Sequence, residues 1–179
     1  AKTPQFFAIW HGSGAQGKSV INMLDMNTLG LGRPGGEGGY ATKMDIGWFC
    51  TDRKGSGPDA AISATKKMRR IWCSESEIEA VPRCGKIKEL TSDPVSANDK
   101  NEKQDIWKVN AHIIVPTNHK MRVVGKDYGT WRRMLYYRFK RQFKRLDGII
   151  ADRYDPKNPT HSIARQEIID EWVIDKNYQ

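Results

Sequence analysis

Short apolar runs separated by polar, glycine-rich stretches set the rhythm of this chain. Residues 5–10 (Gln-Phe-Phe-Ala-Ile-Trp), 70–74 (Arg-Ile-Trp-Cys-Ser), 112–116 (His-Ile-Ile-Val-Pro) and 134–139 (Met-Leu-Tyr-Tyr-Arg-Phe) have the length and near-continuous apolarity of strands covered on both faces. A further strand is predicted within 40–50, centred on 45–50. Between these runs, 20–26 and 60–68 read as helices, and 85–90 as the end of another. Residues 93–97 and 105–109 flank a polar tip and predict a β-hairpin. Residues 30–39 and 51–60 are loops rich in glycine or proline, and so is the Asp-Pro-Lys-Asn-Pro stretch at 155–159. Ile163, Ile168, Ile169, Trp172 and Val173 recur at helical spacing and predict a packing helix over 163–174.

The first strand runs directly into Gly-Ser-Gly-Ala-Gln-Gly-Lys-Ser at 12–19, a complete G-x-x-x-x-G-K-[ST] phosphate-binding loop. The bare pattern arises by chance in about one chain of this length in a hundred, and the strand before and helix after make chance a poorer explanation. Gly12, Gly14 and Gly17 let the backbone curl until successive N–H groups point inward at phosphate oxygens, and the positive end of the following helix adds to that field. Ser13, Ala15, Gln16 and the following Val20 complete the candidate binding segment. Lys18 is placed to reach the β- and γ-phosphates, and the Ser19 hydroxyl to ligate Mg²⁺. The expected ligand is therefore a nucleoside triphosphate with Mg²⁺.

The 70–74 strand delivers Glu75 and Glu77 at its C-terminal end, where a phosphate-loop enzyme needs one carboxylate for the metal and another to polarise water. The 112–116 strand ends near Asn118, a polar group positioned to sense the terminal phosphate and orient water. Alone, each is an ordinary loop residue; together after a phosphate loop they outline a hydrolytic site.

Charge and cysteines narrow the setting. The 179 residues carry 30 Lys and Arg against 21 Asp and Glu, a net charge of +9. A basic domain commonly meets a polyanion, of which nucleic acid is the most frequent. Cys50, Cys73 and Cys84 form no C-x-x-C pair, which points to reduced thiols in a cytosol-like compartment without a zinc site or disulfide framework. No apolar run is long enough for a membrane span and no signal-peptide pattern is present, so the chain is expected not to be secreted. The opening almost directly on a core strand suggests a fragment of a longer polypeptide.

The order of motifs resembles the helicase domain of the superfamily 3 primase-helicases of poxviruses, other large DNA viruses, phages and mobile elements. The resemblance rests on the 12–19 loop, on Ser-Glu-Ser-Glu at 74–77, and on Ile-Lys-Glu-Leu-Thr-Ser-Asp-Pro-Val at 87–95. Pro-Thr-Asn-His-Lys at 116–120 and Thr-Trp-Arg-Arg at 130–133 complete it. It covers roughly residues 5–145.

This resemblance implies an α/β fold, an AAA+ core whose five-stranded, mostly parallel sheet is flanked by helices, with a β-hairpin insertion before the motif C strand. It implies a hexameric ring with ATP between subunits, translocation on DNA, and a replication site in a host cell. Residues 1–145 would be the ATPase core and 146–179 a C-terminal extension. Glu75 and Glu77 would supply the Walker B acids, with Glu75 placed on the metal, and Asn118 would be the sensor. Arg133, with Arg132 close second, would be the arginine finger that reaches a neighbour's γ-phosphate. Lys100 and Lys103 would stand at the hairpin tip facing DNA, although Asn98, Asp99 and Glu102 depart from the basic character of that tip in relatives. An upstream collar or primase region would be a further partner, without which the ring is not expected to be stable. A different class remains open, a small phosphate-loop phosphotransferase acting on a small molecule, in which the paired arginines would serve an internal lid.

Overall fold

The structure is a computed structural model that describes residues 6–32, 38–51, 60–74, 80–97, 105–125, 127–144, 157 and 161–163. In chain order, strand β1 (Phe7–His11) leads to helix α1 (Lys18–Leu29), strand β2 (Ala41–Met44), and the short helices α2 (Gly47–Cys50) and α3 (Ala60–Ser63). Strand β3 (Arg70–Cys73) and helix α4 (Cys84–Ser92) precede a hairpin of β4 (Pro94–Ala97) and β5 (Asp105–Lys108). Strand β6 (His112–Thr117), helix α5 (Tyr128–Trp131), β7 (Met134–Arg138), β8 (Gln142–Lys144) and β9 (His161–Ile163) follow.

Five strands form the main sheet in the order β2-β3-β6-β1-β7. Every pairing within it is parallel, so each strand requires a crossover. The chain leaves β1 toward β2 on one side and later returns to β7 on the other. That reversal creates a crevice at the C-terminal ends of the central strands, the usual ligand position in open parallel sheets.

Register separates the two faces of the sheet. Phe7 lies beside Ile113 and Met134, and Ile71 beside Ile113, on the face that α2, α3, α4 and the hairpin cover. Phe7, Phe49, Ile71, Ile87 and Val115 are fully buried there. On the opposite face Ala8, Ile114 and Trp72 align, with Trp10, Met26 and Leu135 packed around them and the Trp10 and Trp72 rings edge to face at 5.1 Å. Helix α1 covers this second face, tied to β3 by the Asp25–Arg70 ion pair at 2.9 Å.

Several elements differ from the pattern-based expectation. The second strand occupies 41–44, not 45–50. The Asp45 carboxylate accepts a hydrogen bond from the Gly47 amide at 2.6 Å, an Asx-type turn that ends the strand and starts α2. The helix expected over 60–68 stops at Ser63, and the turn that follows places Lys67 at φ 63°. The 85–90 segment is a complete helix of 9 residues rather than a helix end. Residues 142–144 form β8 and pair in parallel with β9. Ile163 therefore ends a strand instead of opening a helix; residues 164–174 lie outside the described residues.

The hairpin forms as expected, with Val95 opposite Trp107. Strand β5 is anchored to the turn after α3: the Trp107 indole N–H donates to Thr65 Oγ1 at 3.2 Å, and Lys66 pairs with Asp105. All three cysteines are free thiols; Cys73 and Cys84 are buried, and burial pushes the Cys73 thiol far up. Among the described residues no helix is long and apolar enough to cross a membrane.

Candidate functional site

The phosphate loop springs from the C-terminal end of β1, the strand held on both sides by β6 and β7. The Gly12 amide donates to the Thr117 carbonyl at 3.0 Å, which pins the start of the loop to the tip of β6. Beyond that point Gly14, Ala15 and Gly17 take positive φ of 97°, 49° and 80°, curling the backbone into a concave turn. Gly17 is the N-cap of α1 in the left-handed region, where a Cβ would be strained. A Cβ on Gly12 would meet the Gln16 side-chain amide, which would have to move aside.

Among the described residues, the backbone amides of Ser13 to Gly17 donate to no protein acceptor. Unsatisfied N–H groups in a positive-φ turn at the head of a 12-residue helix suit an anion. The residues present thus fit a phosphate group.

Lys18, the first residue of α1, is buried, and its ammonium donates to the Gly12 carbonyl at 2.8 Å and to Asn118 Oδ1 at 3.1 Å. Asn118 sits in a turn closed by its neighbour. The Thr117 hydroxyl donates to the His119 carbonyl at 2.9 Å and accepts from the His119 amide at 3.1 Å. Val20, in the first turn of α1, is half-buried.

A cleft of about 400 Å³ opens beside Lys18, Ser19 and Asn22 and reaches Asp45 and Ser74 at the ends of β2 and β3. Ser74 bridges those strand ends, accepting from the Ile46 amide at 3.0 Å and donating its own amide to the Met44 carbonyl at 2.9 Å. Glu75 and Glu77 follow it in sequence and lie outside the described residues, as do Lys100 and Lys103 at the hairpin tip. Among the described residues no group of three His, Cys, Asp or Glu side chains is placed to hold a metal ion. Ser19, exposed and facing the cleft, is the described group available as an oxygen ligand next to the cradle. Asp45 adds a carboxylate to the same cleft. Sequence reading missed it because the strand that delivers it starts at Ala41, not at Asp45 as expected.

Positive charge converges on this end of the sheet. His11, at the tip of β1, is pushed below the ordinary histidine range first by burial and then by the cations Arg138, Lys18 and Lys120. Its ring stacks on Tyr136 at 5.8 Å. A neutral histidine amid cations is consistent with a surface that attracts anions.

The paired arginines stand elsewhere. Arg132 and Arg133 immediately precede β7, and β7 runs parallel to β1 with Met134 beside Phe7. They are therefore at the opposite end of the sheet from the phosphate loop, about 16 Å away along a strand of five residues. Their side chains also differ. Arg133 is buried and donates through Nη1 to the Gly129 carbonyl, whereas Arg132 is exposed beside exposed Trp131 and Tyr128. Asp127 caps α5, accepting from the Thr130 amide at 2.9 Å and pairing with Lys88 at 2.6 Å, which fixes the helix that carries these residues.

No protein-family model matches the chain. It is 26% identical over 173 residues to "Putative primase C962R" of African swine fever virus, both in strain Badajoz 1971 Vero-adapted and in isolate Warthog/Namibia/Wart80/1980. The match takes in 96% of this chain and 16% of that protein, so the chain spans about a sixth of its viral relatives' length. Among solved structures, the apo structures of the NrS-1 C-terminal region superpose with TM-scores of 0.55 and 0.58 at 12% identity. They cover 98% of this chain and 35% and 36% of those chains. The chain is thus homologous to a segment of a viral protein named as a primase, and its α/β fold is that of the NrS-1 C-terminal region.

Proposed function

We propose that this chain is the ATP-hydrolysing motor of a viral or mobile-element replication protein, a superfamily 3 helicase domain that moves on DNA as a ring. The contact between Lys18 and Asn118 carries the reading. It joins the phosphate loop to the polar tip of the adjacent strand, in a sheet whose order sets that strand between the loop and the strand leading to Glu75 and Glu77.

In this reading the Ser13–Gly17 amides and Lys18 bind the phosphates of ATP, and Asn118 orients the water that attacks the terminal phosphate. Ser19, with Glu75, holds Mg²⁺, which neutralises developing charge on the phosphate oxygens. Glu77 or Glu75 polarises the water. Arg132 serves a neighbouring subunit: it is exposed and lies at the far end of the sheet from its own loop, so it contributes to hydrolysis only across an interface. That placement also counts against a small-molecule phosphotransferase, whose arginines would close over their own site.

Residues 1–145 form the motor and 146–179 an extension, joined through the β8–β9 pair. Lys100 and Lys103, in the segment that joins β4 to β5, contact DNA in this reading. The full-length protein, with an upstream collar or primase region, assembles the ring at a replication site in the host cell.

Lys18→Ala tests the site directly. It should abolish ATP hydrolysis, and unchanged turnover would refute the assignment. In a longer protein that includes the upstream region, forked or single-stranded DNA should stimulate ATPase; absence of stimulation by any DNA form favours the phosphotransferase.

A further inference from the structure

The segment that leaves β7 turns back along the phosphate loop and is bonded to it repeatedly. The Phe139 amide donates to the His11 carbonyl at 2.8 Å, just before the loop begins. The buried side chain of Gln16 donates through Nε2 to the Phe139 carbonyl at 2.8 Å. Four residues on, the Phe143 amide donates to the Ala15 carbonyl at 2.7 Å, and Gln142 Nε2 donates to Ser13 Oγ at 3.0 Å. The Phe143 ring lies within 3.6 Å of the position a Cβ on Gly17 would take. Residues 142–144 are themselves paired with 161–163 as β8 and β9.

These contacts fall on the variable positions of the loop, Ser13, Ala15 and Gln16, and leave its inward amides unengaged. A glycine-rich loop has many conformations to lose when it closes on phosphate. A brace that removes those conformations beforehand raises affinity without touching the ligand. Ala15, at φ 49°, is in a conformation that a non-glycine residue keeps only when held, and the Phe143 amide is bonded to its carbonyl.

We propose that β8 is a brace that holds the phosphate loop in its binding shape, with Gln16, Gln142 and Phe143 as positioning residues and β9 as its support. Through this pair the C-terminal extension sets nucleotide affinity in the motor. The proposal rests on the reading of the loop as an ATP site.

The test is Mg-ATP binding and steady-state hydrolysis by the full chain and its variants, with a fluorescent ATP analogue as the probe. Phe143→Pro removes the donor to Ala15 and should raise Kd and KM about ten-fold; Gln142→Ala should raise them about three-fold. In both, kcat at saturating ATP should stay within about two-fold, a split that general loss of structure does not produce. Phe143→Leu keeps the amide and should bind like the unaltered chain. If Phe143→Pro fails to fold, Gln142→Ala and Gln16→Ala carry the test. Unaltered affinity in these variants, with binding still lost in Lys18→Ala, overturns the brace and leaves the ATP site standing. No binding by the unaltered chain overturns the ATP reading and the brace with it.

Discussion

The Lys18 ammonium and the Asn118 side-chain oxygen, 100 residues apart in sequence, meet at 3.1 Å across the tips of β1 and β6. The lysine is buried and also bonded to the Gly12 carbonyl, so the pair is set before any ligand arrives. Asn118→Ala removes the water-orienting group while leaving the cradle of amides intact. ATP turnover should fall about 100-fold, with nucleotide affinity changed by less than about three-fold. Single-turnover hydrolysis measured beside equilibrium binding separates the two effects.

Arg132 and Arg133 should behave differently despite their adjacency. Mixed with unaltered subunits of the full-length protein, Arg132→Ala should depress ATPase below the value expected from simple dilution, since each altered subunit disables its neighbour. Arg133→Ala should instead lower the melting temperature, because it empties a buried position and strips the Gly129 carbonyl of its donor. Activity confined to the altered subunit's own share in the Arg132 mixture would exclude action across an interface.

Asp127 is the hinge of that region. The hydrogen bond from Lys88, followed by those from Thr130, holds its carboxyl down at about 2. The ionised form is thus favoured in the folded chain, and its contribution is present above the ordinary carboxylate range and lost as pH falls from about 4 toward 2. Asp127→Ala should lower the melting temperature by about 2–4 °C through loss of the cap and should flatten the acid limb of a stability–pH curve.

Histidines shape a second limb at higher pH. Burial lowers His11 and His112, aided by Arg138 and Lys18 at the first and by Arg70 at the second, where Asp25 opposes. The unfolded chain then takes up protons more readily than the folded one, so stability is complete above about pH 6.5 and declines as pH drops below it. Denaturant midpoints between pH 7.5 and 5 should fall in the unaltered chain, and less so in His11→Asn.

The strands covered on both faces were legible as apolar runs, since each of β1, β3 and β6 carries residues of both core clusters. Strand β2 was not. Ala-Thr-Lys-Met is an edge strand with one exposed lysine, and the stronger apolar signal of Ile46 and Phe49 belongs to a helical turn. The phosphate loop could be read because its chemistry fixes residue types at fixed spacing. Asn118 could be read because it ends the most strand-like run. Asp45 and the brace of Gln142 and Phe143 were invisible: their role depends on which strands become neighbours. Nor could sequence tell which of two consecutive arginines faces inward, a choice made by the short helix that Asp127 caps.

Because β1 is flanked only by β6 and β7, the strand that carries the loop has no sheet partner in the first half of the chain. On the ribosome the loop emerges before its fasteners at Thr117, Phe139 and Phe143 are made. Nascent chains that stop short of β6 should hold no nucleotide, however complete their loop. The distant pairings also make for slow folding, so assembly of this site waits for the strands that flank β1 rather than for the appearance of its motif.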